Sequence, residues 1–80
     1  MKIPHIETVE RDGVTYMIEV DYPPKVYQYI MGMLNITVID NINSDLKTVR
    51  YATRDFINKT DWVNHIIDIH ITAHSKQSEQ

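Results

Sequence analysis

Val14 to Tyr22 alternates without a break, with Val14, Tyr16, Ile18, Val20 and Tyr22 on one side and Thr15, Met17, Glu19 and Asp21 on the other. A period of two is that of a strand with one dry face. Ile3 to Glu10 precedes it across Arg11-Asp12-Gly13. Asp-Gly between two strand-like runs predicts a hairpin, because glycine supplies the positive φ that such turns need. Two registers are open. A bulged three-residue loop sets Ile6 across from Ile18 and Thr8 across from Tyr16. A two-residue loop sets Glu7 across from Ile18 on the apolar side. The first avoids burying a lone carboxylate and is the one expected. Pro4 cannot donate to a ladder, so the first strand is expected at a sheet edge or with a late start.

Pro23-Pro24 ends the second strand. In Lys25–Asn35, Val26, Ile30 and Met33 share one helical stripe and Tyr27, Met31 and Leu34 a second beside it. This predicts a helix that is apolar nearly all round. One long bent strand over Val26–Asp40, with a bulge at Gly32, competes with it. Ile36-Thr37-Val38-Ile39 is short and β-branched, a third strand. Ser44 is a good helix cap, and Leu46, Val49, Thr53, Phe56 and Ile57 recur at three- and four-residue spacing. They predict a second helix over 45–59, with Lys47, Arg50, Arg54 and Asn58 on its far side. The competing reading makes Lys47–Ala52 a strand and starts the helix at Thr53. Thr60-Asp61-Trp62 connects onward, with Asp61 able to cap a further helical turn.

In Ile66–His74, Ile67, Ile69, Ile71 and Ala73 alternate with Asp68, His70, Thr72 and His74, which predicts a last strand in the middle of the sheet. On that reading a polar residue at Ile69 unfolds the protein, whereas His70→Ala costs little. Residues 75–80 contain no apolar side chain and read as a disordered polar tail. The sum is a single α+β domain over 1–74. It is a small two-layer sandwich in ββαβαβ order, with two helices packed on one face of a three- or four-stranded sheet that opens with a hairpin.

Eighty residues hold one modest core, and 42% hydrophobic with 24% charged is ordinary for a folded chain. The absence of cysteine removes disulfides and thiolate chemistry and fits a cytoplasmic setting. No leader-like opening and no run of membrane-spanning length is expected to act as a membrane segment. The formal net charge of −3 is opposite in sign to that of most phosphate-binding proteins.

Candidate chemistry is sparse. Asp68 and His70 on one strand face are placed to converge on a metal, with a third ligand from elsewhere, but as polar residues on a wet face they need no such role; no metal and no cofactor is expected. The carboxylates form no catalytic spacing, the serines lack nucleophile-elbow glycines, and two glycines make no phosphate-cradling loop, so no enzyme activity is expected. Arg50 and Arg54, one turn apart on a helix with Tyr51 between them, would make a basic face for a nucleic-acid-binding regulator. Against it, Asp45, Asp55 and Asp61 interleave.

Tyr22, Tyr27, Tyr29, Tyr51 and Trp62, with Met31 and Met33, exceed what an eighty-residue core needs, and tyrosine, tryptophan, methionine and arginine are the residues enriched in interfaces. Tyr27, Met31, Leu34, Tyr51, Arg50 and Arg54 are therefore the expected partner-binding residues. The expected function is that of a non-enzymatic protein-binding module, an adaptor or inhibitor of a larger protein machine. Phage-encoded inhibitors of host defence or polymerase enzymes are small proteins of this kind. An uncovered sheet edge would also allow a homodimer.

Overall fold

A computed structural model describes residues 2–23, 32–43, 45–58 and 61–78. Within them the chain is an α+β domain with a four-stranded antiparallel sheet and two helices. The strands are β1 (His5–Arg11), β2 (Val14–Asp21), β3 (Leu34–Asp40) and β4 (Lys47–Ala52), and they lie in the sheet in that order. Two helices follow, α1 (Arg54–Asn58) and α2 (Trp62–Ser78). The described elements thus run four strands first and helices last, in place of the expected alternation. The greasy helix expected over 25–35 lies mostly outside the described residues, as do Tyr27, Met31 and the Ser44 cap. Its last two positions, Leu34 and Asn35, belong to β3.

The hairpin turns through Asp12 and Gly13, whose φ angles of 54° and 79° are both positive, as a type I′ turn demands. Arg11 pairs with Val14, so the loop has two residues and Glu7 faces Ile18. This is the register that the sequence disfavours. The objection to it was a lone buried carboxylate, and Glu7 is neither lone nor fully buried. Its Oε1 lies 3.0 Å from His5 Nε2, and 38% of its side chain stays exposed on an edge strand. β1 is an edge of the sheet, and it begins at His5, just after Pro4.

Tyr16, Ile18 and Val20 of β2 and Leu34, Ile36 and Val38 of β3 are buried, and cross-strand pairing puts all six on one face. Val9 of β1 and Ala52 of β4 pack against that cluster. Trp62, Ile66 and Ile67 of α2, with Ile57 of α1, complete the core. Each fully buried aliphatic side chain contributes about 1.5–3 kcal/mol of transfer free energy.

Lys47–Ala52 is strand, not the first half of a helix. The β-branched and aromatic residues Thr48, Val49 and Tyr51 favour a pleated surface, and β3 offers a full ladder from Leu34↔Ala52 to Ile39↔Lys47. The helix begins only after Thr53, whose Oγ1 accepts from the Phe56 N–H at 3.2 Å.

Ile66–His74 is helix, not the closing strand. Asp61 stands at its start, its backbone carbonyl accepting from the His65 N–H at 3.2 Å and its carboxylate from the Asn64 amide. The isoleucines at every second position imitate a strand. The buried positions are instead Trp62, Ile66, Ile67 and His70, at helical spacing. Helical backbone continues through Ser78, into the stretch expected to be a loose tail.

Candidate functional site

The end of β3, the start of β4 and the third turn of α2 meet in a buried polar chain. Asp40 closes β3, and its Oδ1 accepts from the N–H groups of Ile42 (2.9 Å) and Asn43 (2.7 Å), which turns the chain toward β4. Its Oδ2 accepts from His70 Nε2 at 2.8 Å. His70 is only 2% exposed. Its Nδ1 lies 2.6 Å from the Thr48 hydroxyl, and that hydroxyl lies 3.2 Å from His74 Nε2. The two imidazoles sit 4.6 Å apart, and the ring of Tyr16 meets His70 edge-on at 5.9 Å.

The donors run in one direction. With Nε2–H of His70 given to Asp40, its Nδ1 accepts the Thr48 proton, and Thr48 accepts from Nε2–H of His74. His74 Nδ1, which is buried without a partner, is then a bare acceptor. The opposite direction would leave an N–H there, which costs more to bury. These tautomers are assigned from the hydrogen-bond geometry.

Burial works to raise the Asp40 pKa. Hydrogen bonds from Asn43, His70 and Ile42 more than offset it, so the carboxyl titrates below its ordinary 3.8. A carboxylate with a depressed folded value stabilises the fold fully above its unfolded value, and that contribution disappears as the pH falls through the folded one. Urea midpoints should therefore fall as the pH drops below 3.8, and Asp40→Asn should flatten that fall while lowering the midpoint at pH 7. An unchanged acid slope in the variant would remove Asp40 from this role. Burial first, and the Asp40 charge second, push the Tyr16 hydroxyl pKa up.

Asp40, His70 and Thr48 follow the acid, base and hydroxyl order of a nucleophilic relay. Chemistry also needs a substrate within reach of the hydroxyl, and Thr48 is 9% exposed and lines none of the described hollows. The chain of bonds is a clamp that fastens α2 to the sheet. On this helix Asp68 and His70 also do not share a face, as a strand would have had them do. Two residues apart on a helix point nearly opposite ways, and Asp68 faces solvent with its Oδ1 2.7 Å from Arg11 Nη1. That contact is a charge pair off the line of a hydrogen bond. No cluster of three potential metal ligands exists among the described residues.

A groove among the described residues lies elsewhere. It has a volume of about 530 Å3 and runs between β4 and α2. The five consecutive residues Val49–Thr53 form one wall. Neighbours on a strand point to opposite faces, so such a run lines a groove only where the strand's backbone edge is the wall. Met33, Phe56, Ile66 and Ile69 supply the apolar floor, and His65 the far rim. A second hollow of about 450 Å3 continues it along α2 past Thr72 and Ala73, sharing Arg50, His65 and Ile69.

Of the six expected partner-binding residues, Arg50 and Tyr51 line this groove. Leu34 does not: at 2% exposure it is core, because it pairs with Ala52 on the face under the helices. Arg54 opens α1 and borders a separate hollow with Ile3, Leu34, Ile57 and Asn58. Arg50 and Arg54 are therefore not neighbours on one helix, and Lys47 lies on β4 as well, so the basic helix face does not form. Thr48, Asp40 and the buried state of His70 escaped sequence reasoning. The signal available was the i, i+4 spacing of His70 and His74, which is visible once the segment is taken as helix.

No helix among the described residues is long and apolar enough to cross a membrane. Comparison with family models, with curated proteins and with solved structures returns no match, so the chain's function must be argued from its own geometry.

Proposed function

We propose that this chain is a non-enzymatic protein-binding module that takes an extended segment of its partner as an added strand on β4. The observation behind the reading is the groove walled by the backbone of Val49–Thr53 and floored by Met33, Phe56, Ile66 and Ile69. Among the described residues β4 has β3 as its one sheet neighbour. An edge strand presents alternate N–H and C=O groups outward, a ready template for another chain. A helix lying beside that edge gives the incoming side chains a surface to read, which is the arrangement that strand addition needs. By holding such a segment the module would act as an adaptor or as an inhibitor of the protein that carries it.

The test uses peptides selected from a random display library on the immobilised full-length chain. Amide shifts on adding a selected peptide should concentrate in Lys47–Ala52 and His65–Ala73. Proline scanning then separates the edge from the ladder. At Val49 and Arg50, one N–H points to β3 and the other outward. One of Val49→Pro and Arg50→Pro should unfold the sheet edge. The other should leave the melting temperature within a few degrees and abolish peptide binding. Peptides that bind instead on the outer sheet face, where Ile6 and Met17 are exposed, would sink the proposal. A dimer whose interface maps to β4 would give the edge to a second copy.

A further inference from the structure

We infer that the strand accepted by β4 carries a carboxylate opposite Arg50 and an apolar side chain two residues away on the same side. The inference rests on the strand-addition reading and adds the chemistry of the partner.

Arg50 sits where the two hollows join and lines both. It is exposed and has no carboxylate within ion-pair distance among the described residues. The acidic residue nearest in kind is Asp68, which borders the second hollow, and it is held at 2.7 Å by Arg11 from the far edge of the sheet. The cation of the groove is thus left for a ligand. Lys47 stands on the other face of β4, across from Ile39, and Arg54 borders a separate hollow, so neither adds its charge beside Arg50. A cation with no carboxylate beside it favours an acidic side chain in the partner and repels a basic one.

The apolar position follows from the pleat. Arg50 and Ala52 lie on the same face of β4, paired with Ile36 and Leu34 respectively. A strand added alongside repeats that two-residue step, roughly 6.5–7 Å. When one of its side chains stands at Arg50, the next on that face stands at Ala52, over Phe56, Ile66 and Met33. Those residues offer nothing to a charge and much to an aliphatic or aromatic side chain.

Library selection on three immobilised forms, wild type, Arg50→Glu and Arg50→Gln, each shown to be folded by its melting curve, tests this. Wild type should enrich Asp or Glu two positions from an apolar residue. Arg50→Glu should enrich Lys or Arg at the acidic position, and Arg50→Gln should lose the charge preference. Peptides selected on wild type should bind Arg50→Glu at least about tenfold more weakly, with the gap narrowing in salt. Selection of β4-binding peptides with no acidic preference, or with one indifferent to residue 50, would overturn the inference and leave strand addition standing. Failure to select any peptide that maps to β4 would overturn both.

Discussion

Replacing His70 with alanine should lower the stability of this protein by about 3 kcal/mol. The change removes a side chain that is 2% exposed and leaves a cavity between α2 and the sheet. It also strips a hydrogen-bond partner from Asp40, whose side chain is only 9% exposed, and another from Thr48. Leaving buried polar groups unpaired costs more than the bonds themselves are worth. An eighty-residue domain has a total stability of roughly 4–12 kcal/mol, so such a loss is a large fraction of it. Urea unfolding measures the effect directly. Combining His70→Ala with Thr48→Val should cost less than the two single changes added together, because the second removes a group already orphaned. A His70→Ala variant within 1 kcal/mol of wild type, or strict additivity, would show that the clamp does not hold the helix.

The second large effect separates two isoleucines that a strand would treat alike. Ile67→Asn should cost about 4 kcal/mol and leave little folded protein, whereas Ile69→Asn should cost about 1 kcal/mol. Ile67 is fully buried against the sheet, while Ile69 is partly buried at the side of α2, where it borders the groove. On a strand both would share one dry face and both changes would be ruinous. Melting curves of the two variants decide between the geometries, and equal losses would contradict the helix. The Ile69 variant has a second use, since it should weaken peptide binding in the groove while staying folded.

β2 and the place of the hairpin turn were legible because each residue's neighbours in sequence set its face. The register across the turn was not, because the His5 partner that makes Glu7 tolerable there shows only in the fold. Val14 to Val20 alternates without conflict, and Asp12-Gly13 has a turn chemistry of its own. The last helix was misread because the isoleucines at 67, 69 and 71 alternate as a strand would. The true stripe runs through His70 and His74, which count as polar until their partners are known. Those partners, Thr48 and Asp40, lie 22 and 30 residues from His70 along the chain, beyond the reach of any local pattern. The stretch from Leu46 to Ile57 failed in the other direction. Its spacing fits a helix, but a free edge of β3 was available to pair with Lys47–Ala52, and tertiary pairing overrode the periodicity. Arg50 and Tyr51 were found as interface candidates from residue type alone, and the groove beside them required the fold.

The sheet order β1-β2-β3-β4 means that every strand pairs with its neighbour in the chain. Such a meander can assemble one hairpin at a time without first closing long loops, which favours rapid folding. The clamp joins the ends of the last two strands to a helix 22 and 30 residues further along the chain. A contact that closes only once the meander stands sets how slowly a native protein comes apart more than how quickly it folds.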